Sequence, residues 1–276
     1  MNVIDTFFEK INNLPMLPKV VQDVMQLLNS GEVDIKVLTN VIHRDQVLAA
    51  KVLRMSNSAY FGCSRSIKTI EDAVALIGLQ NLNTLVIASG VTTTFTEVQG
   101  LDLKKFWQHH LVTASVARQL SKQLELSTET AYVAGLLHGI GRLPIHMVFP
   151  VASAQVEQVC QGRLMAERQS VEQSMLGIDH CQVGDMLAKH WNFPEEICCV
   201  IRSYIKPCES QLCQLASVVY AAAHIAHELA LDRTSTEIAE SLDAEVATML
   251  GMQDKLALTD CVESCRPMMD EASSYL

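Results

Sequence analysis

Apolar side chains recur at spacings of three and four residues along most of this sequence. One such run lies between the segment LPMLP and Gly31 and consists of Val20, Val21, Val24, Met25, Leu27 and Leu28. This spacing puts the apolar residues on one face of an α-helix. Only 7 prolines and 12 glycines occur in 276 residues, so little interrupts long helices. We therefore expect an all-α fold.

Residues that cap helix N-termini stand ahead of several of these runs. Asp34, Asp45, Asp102 and Asp179 each precede an apolar run. An aspartate at this position accepts hydrogen bonds from backbone N–H groups that have no partner within the helix. We expect a helix to begin directly after each of the four.

A change of composition marks the expected domain boundary. The helix that begins at Leu79 is expected to end near Gly90, and residues 92–100 are rich in β-branched and polar side chains. A linker there, or a short strand over residues 91–95, would separate two packed helical subdomains. We expect these to comprise residues 1–98 and 99–276.

Charge and cysteine content narrow the function classes. The formal net charge is −10, which counts against a nucleic-acid partner. The nine cysteines include no CxxC pair, so zinc-ribbon and thioredoxin readings lack support. The sequence shows no secretory signal and no uncharged apolar stretch of about 18 residues, so a membrane is not an expected partner. We expect a cytoplasmic protein whose cysteines are reduced.

Two histidine-containing segments could carry chemistry in the first half of the second subdomain. His109 and His110 are neighbours within a long predicted helix, and neighbouring helical residues point about 100° apart. The two therefore cannot both face one pocket well. His138 follows an apolar helical run, and Gly139 and Gly141 let the chain turn sharply behind it. A helix-end histidine can equally be a simple C-terminal cap.

Two further histidine segments follow later in the chain. Asp179 as an N-cap puts His180 on the first turn of a helix. His224 and His227 are three residues apart on an apolar helix and so lie on one side of it. A metal pair is one interpretation of this spacing, and a partly solvated helix edge is the other.

A cluster of amide and aromatic side chains follows the third predicted helix. It contains Asn57, Tyr60 and Phe61. We expect these residues, together with Arg142, to bind a ligand or a partner. The alternative is a packed turn in which Asn57 caps backbone groups.

Together these segments resemble the HDOD family, which is related to the HD-type metal-dependent phosphohydrolases of bacterial signal transduction. The similarity covers about residues 14–207. The segments that carry it are LPMLPKVVQDVMQLLN, IHRDQVLAAKVLRMSNSAYFG, IKTIEDAVALIGLQNLNTLV, FWQHHLVTASVARQL, AGLLHGIGRL and GIDHCQVGDMLAKHWNFPEEICCVIRSY. The resemblance implies an all-α fold in which the second subdomain, residues 99–276, is an HD-like helical bundle. It also implies a regulatory role in bacterial signalling.

The resemblance also assigns positions in a metal site. His109, His138 and His180 fall on histidines of that site, and His224 falls near its last aspartate. Gly139 falls on the aspartate of the HD dipeptide, so that carboxylate is missing. Tyr204 and Ile205 fall where related proteins carry a histidine pair. The remaining histidines could bind a divalent metal such as Zn or Ni weakly, but they suit the hard ions of a phosphohydrolase poorly.

Our leading hypothesis is a non-catalytic signalling or regulatory domain with a degenerate metal site. It would bind a signalling protein partner or a small ligand in the cleft between its subdomains. The alternative is a metal-dependent phosphohydrolase with an atypical histidine-rich site, in which Asp179 or Asp185 supplies the carboxylate. Neither the pathway nor the oligomeric state follows from the sequence.

Overall fold

A computed structural model describes residues 7, 15–29, 34–57, 61, 66–161, 167–207 and 214–274. No strand occurs among these residues, and the expected all-α fold is confirmed. None of the helices they form is long and apolar enough to cross a membrane. Contacts between Cα atoms divide the chain into two compact units, which we call the N-terminal unit (Pro15–Thr96) and the C-terminal unit (Glu97–Ala272, with Phe7).

The N-terminal unit contains five described helices. They are α1 (Lys19–Asn29), α2 (Ile35–His43), α3 (Gln46–Ser56), α4 (Ile70–Ile77) and α5 (Leu79–Thr94). Helix α5 packs against α1, α3 and α4, and its residues Leu82–Thr92 are nearly all buried. The core of this unit therefore surrounds α5.

The C-terminal unit continues with helices arranged around α6. They are α6 (Leu103–Gln123), α7 (Thr128–Leu137), α8 (Arg142–Val148), α9 (Pro150–Cys160), α10 (Glu167–Leu176), α11 (His180–His190), α12 (Glu195–Ser203), α13 (Gln214–Ala230), α14 (Ser235–Ser241), α15 (Ala244–Met249) and α16 (Lys255–Cys265). The last described helix is α17 (Pro267–Ser274). Helix α6 packs along α7 and α13, and most of its residues are buried.

The predicted N-caps are confirmed. The side chains of Asp34, Asp45, Asp102 and Asp179 each accept a hydrogen bond from a backbone N–H in the first turn of the helix that follows. These local bonds replace the partners that the first helical N–H groups lack.

The predicted end of α5 near Gly90 is wrong: residues 91–94 are helical and form no strand, and a non-helical segment over residues 95–102 then leads to the next helix. The helix continues to Thr94. Val91 is fully buried, and the hydroxyls of Thr92 and Thr94 donate to the carbonyls of Ala88 and Gly90 at 2.9 Å. Burial and these bonds outweigh the weak helix propensity of β-branched residues.

Candidate functional site

A cavity of about 520 Å³ lies within the C-terminal unit. Five of the side chains that line it come from five different places in the chain: His109 on α6, His138 after α7, Arg142 on α8, Tyr204 after α12 and His227 on α13. His109 and His227 are partly exposed, whereas His138 and Tyr204 are buried. The cavity thus has a buried floor and an accessible rim.

A tight turn over residues 138–141 forms part of the floor. The N–H of Ile140 donates to the carbonyl of Leu137 at 3.0 Å, and the N–H of Arg142 donates to the carbonyl of Gly139 at 3.1 Å. A Cβ atom at Gly141 would collide with the backbone carbonyl oxygen of His180. Glycine at this position therefore lets the turn lie directly against the start of α11.

Aromatic rings stack beneath this turn. The centroid of the His110 ring lies 3.9 Å from that of Phe106 and 4.3 Å from that of His138, with interplanar angles of 27° and 17°. The Tyr204 ring meets His138 edge-on at 4.9 Å. As predicted, His109 and His110 do not share a pocket: His109 lines the cavity, and His110 is fully buried in the stack.

Hydrogen bonds define which nitrogen of each stacked histidine carries the proton. His110 Nδ1 lies 2.8 Å from the carbonyl of Phe106, and His138 Nδ1 lies 2.6 Å from the carbonyl of Gly135. A carbonyl only accepts, so each Nδ1 donates and each Nε2 is left as an acceptor. Burial lowers the pKa of both rings, and that of His138 falls to about 3. Both imidazoles are therefore neutral at pH 7.

The His110 ring also fills the space beside Gly139. A Cβ atom at Gly139 would lie 2.7 Å from His110 Nε2, and this nitrogen is buried without a hydrogen-bond partner among the described residues. Gly139 is the position that the family resemblance assigns to a metal-binding aspartate. The His110 ring therefore occupies space that a side chain at position 139 would need.

His180 has no nitrogen free for a ligand. Its Nδ1 lies 2.5 Å from Glu172 Oε2, and its Nε2 lies 2.6 Å from the Tyr204 hydroxyl. The same carboxylate oxygen accepts the backbone N–H of His180 at 2.8 Å. Burial raises the pKa of Glu172, but His180 and Arg168 outweigh burial and lower it. His180 is thereby fixed inside the core and does not line the cavity.

His224 also lies away from the cavity. It is buried, and its Nε2 lies 2.9 Å from the Ser241 hydroxyl. His227, one turn further along α13, lines the cavity instead, and its ring centroid is 6.4 Å from that of His109. Sequence spacing put both histidines on one side of the helix, but only the packing of α13 decides which of them reaches the cavity.

The two aspartates considered as metal ligands are engaged elsewhere. Asp179 caps α11 and accepts from the N–H of Gln182 at 3.0 Å. Asp185 binds the Arg202 guanidinium at 2.9 and 3.0 Å and Lys189 at 3.0 Å. Neither residue lines the cavity.

The Glu157 carboxylate, which the sequence analysis did not identify, binds two arginine side chains that line the cavity. The Glu157 carboxylate accepts from Arg142 Nη2 at 3.0 Å and from both terminal nitrogens of Arg168, at 3.0 and 2.5 Å. His146 Nε2 is 3.1 Å away. Burial raises the pKa of Glu157, but Arg142, His146 and Arg168 outweigh burial and hold it far below its usual value. Glu157 is therefore ionised.

These arrangements do not fit the metal centre that the family resemblance implies. Among the residues that the structure describes, no three histidine, cysteine, aspartate or glutamate side chains converge in a way that could hold a metal ion. The nearby carboxylates of Glu157 and Glu172 are bound to arginines and to His180.

The proposed binding cluster of the N-terminal unit is only partly described. Asn57 ends α3, and its side chain donates to the carbonyls of Leu53 and Ile67 and accepts the N–H of Ile67, at 2.7–2.8 Å. These are the bonds of a structural bridge between α3 and the segment before α4. Phe61 is partly exposed, and Tyr60 lies outside the described residues. A role for these three residues in binding stays a prediction.

Sequence signals for the missed residues were weak. Arg168 and Glu172 are four residues apart on α10, a common spacing for an exposed ion pair, yet both side chains are largely buried. Glu157 lies on another helix, so no spacing rule connects it to either arginine. Only the packing of α8, α9 and α10 brings these charges together.

Comparisons with known proteins support the family resemblance. The HDOD domain family model matches residues 14–207. A candidate phosphohydrolase from Shewanella amazonensis SB2B has a solved structure with 29% identity and a TM-score of 0.81, covering 98% of this chain and 97% of its own. An HDOD domain protein of unknown function from Geobacter sulfurreducens has 26% identity and a TM-score of 0.77, with the same coverage.

A curated relative is an uncharacterised protein of Treponema pallidum (strain Nichols), which is 24% identical over 196 residues. The match covers 70% of this chain and 38% of that protein, so the chain spans well under half the length of this relative. The family match extends over more than half of the chain, on an all-α fold that two solved relatives share across nearly their whole length. The chain therefore belongs to the HDOD domain family.

Proposed function

We propose that this chain is a non-catalytic signalling or regulatory domain that acts by binding a small ligand or a protein partner. The observation that carries the non-catalytic part is the His110 ring beside Gly139. A phosphohydrolase metal needs oxygen ligands that offset its charge, and the metal ion so held acidifies a bound water. At position 139 a Cβ atom would instead lie 2.7 Å from Nε2 of the neutral His110 imidazole.

The occupied carboxylates support the same proposal. A metal ion that recruited Glu157 would have to break its bonds to Arg142 and Arg168. One that recruited Glu172 would release His180 and leave its buried ring without its partner. Removing one member of a buried ion pair typically costs about 3–5 kcal/mol, so metal binding would oppose the stability of the fold.

The cavity supports a binding role. Its volume of about 520 Å³ lies within the range of roughly 300–1,000 Å³ that is usual for small-molecule sites. The signalling part of the proposal comes from the family resemblance. Its proposed setting is the bacterial cytoplasm, with a signalling protein as the partner and no role for nucleic acid.

Metal analysis and a hydrolysis screen test this proposal. The purified chain is assayed for bound metals and for turnover of nucleotides, cyclic nucleotides and phosphomonoesters, with Mg, Mn, Fe, Ni or Zn supplied. We expect no stoichiometric metal and no turnover above that of a His138→Gln variant, which serves as the control for contaminating phosphatases.

The phosphohydrolase alternative makes the opposite prediction. The Shewanella relative is described as a candidate phosphohydrolase, so this activity needs a direct test. Turnover by the natural chain that disappears in a folded His138→Gln variant would overturn the non-catalytic proposal.

A further inference from the structure

Among the residues that line the cavity, basic side chains outnumber acidic ones, whereas the whole chain is acidic. The whole sequence has 31 acidic and 21 basic residues, excluding histidine. The cavity is lined by the basic side chains of Lys105, Arg142 and Arg168 and by the acidic side chains of Asp102 and Glu157. Basic groups are therefore in excess among the charged side chains that line the cavity, although the chain as a whole is acidic. Such a reversal favours anions.

The acidic residues of the cavity already have partners. Asp102 caps α6 and accepts the N–H of Lys105 at 3.1 Å. Glu157 is shared by the guanidinium groups of Arg142 and Arg168, and Arg168 also lies 3.6 Å from the Glu172 carboxylate. Arg142 Nε is buried and has no hydrogen-bond partner among the described residues. Arg142 therefore keeps unused donor capacity, whereas Arg168 is shared between two carboxylates.

The rest of the lining is apolar or neutral. Phe106 lies on one wall, with the guanidinium carbon of Arg142 5.3 Å from its ring centroid, and Leu101 and Leu231 also line the cavity. The imidazoles of His109 and His138 are neutral because burial lowers their pKa. A ligand that fits these walls has an anionic end and an apolar or aromatic body.

We propose that this cavity binds an amphipathic organic anion, a phosphate ester or carboxylate on an apolar body, and that Glu157 is an internal competitor for the arginines that hold it. This inference names the ligand of the proposed binding function and rests on that function. Glu157 keeps Arg142 and Arg168 in position when no ligand is bound. A ligand oxyanion would share or replace that carboxylate.

Fluorescent naphthalene probes test the proposal on the full chain. 1-Naphthyl phosphate and 1-naphthoate carry the two anionic groups, 1-naphthol has the same body without the charge, and inorganic phosphate has the charge without the body. We expect both charged probes to bind at least about tenfold more tightly than 1-naphthol, in line with a charge-assisted pair. The tighter of the two identifies phosphate or carboxylate as the preferred group.

Lys105 provides a variant that leaves the core unchanged. Its side chain is exposed at the cavity rim, whereas the neighbouring Lys104 is exposed and does not line the cavity. Lys105→Gln should weaken binding of the charged probe about two- to fivefold, with less salt dependence, and Lys104→Gln should leave it unchanged. Glu157→Gln, checked for folding by circular dichroism, should strengthen binding by about tenfold.

The outcomes separate this inference from the proposed function. Binding of 1-naphthyl phosphate without release of 1-naphthol supports both. Hydrolysis of the bound probe that disappears in His138→Gln would sink the non-catalytic function while leaving the anion site intact. Equal affinity for 1-naphthol, no binding of either anion, or equal effects of the two lysine variants would overturn the anion site.

Discussion

His180 and His138 belong to one metal site in the family resemblance, yet their surroundings in this protein are opposite. Glu172 and Tyr204 engage both nitrogens of His180, and its ring is fully buried. Only Nδ1 of His138 is hydrogen-bonded among the described residues, and the ring lines the cavity. The comparison indicates that His180 is held within the core, whereas His138 forms part of the cavity wall.

Removing the partner of His180 should have the largest effect. Glu172→Gln leaves Arg168 and the Nδ1–H of His180 facing a neutral amide, and we expect the free energy of unfolding to fall by about 3–5 kcal/mol. Urea unfolding followed by circular dichroism measures it. The control is Glu196→Gln, an exposed position on α12, which should change it by less than about 0.5 kcal/mol. Equal losses in both variants would break the comparison.

Introducing at position 139 the aspartate that the family resemblance implies should also destabilise the protein. In Gly139→Asp the new Cβ meets His110 Nε2 at 2.7 Å, and we expect a loss of about 3 kcal/mol in the free energy of unfolding. His110→Ala costs stability itself but removes this clash. The double variant should therefore lose less than the sum of the two single losses, as measured in a double-mutant cycle. Simple additivity would show that His110 does not fill this position.

The buried histidine stack should make stability depend on pH. Burial lowers the pKa of His138 from 6.5 to about 3. Between these two pH values the ring is protonated in the unfolded chain and neutral in the folded chain. Stability should therefore fall as pH falls below 6.5, and His138 alone should account for about 2 kcal/mol between pH 7 and 5. Urea unfolding across this range measures the slope, which His138→Leu should reduce. An unchanged slope in that variant would assign the effect to other groups.

The smallest expected effect concerns the neutral partner of His180. Tyr204→Phe removes the hydroxyl that lies 2.6 Å from His180 Nε2, and we expect a loss of about 1 kcal/mol in the free energy of unfolding. The loss is smaller than for Glu172→Gln because no charge is left without its partner. A loss as large as that of Glu172→Gln would mean that the hydroxyl, and not the carboxylate, is the main anchor of His180.

Local chemistry explains why the helices could be predicted. Each N-cap aspartate binds a backbone N–H two or three residues away, so a few consecutive letters contain the whole interaction. The end of α5 could not be predicted in this way. Val91 favours an extended chain on its own, but its burial in the N-terminal unit keeps it helical.

The candidate site was predictable only in part. His109 and His138 could be assigned because the family segments place them, and the structure brings both to the cavity. His224 and His227 differ by one turn of one helix, and spacing alone could not choose between them. Glu157 lacked any local signal, because its partners Arg142 and Arg168 are on other helices.

The sequence by itself determined the all-α class and the helix starts after the four capping aspartates, because periodicity and caps are properties of short segments. Only the tertiary structure decided that His110 fills the space beside Gly139, that Glu172 and Tyr204 enclose His180, and that two arginines share Glu157. These contacts join residues on different elements of the fold, and packing, not sequence spacing, sets their distances and the burial that gives them their energy.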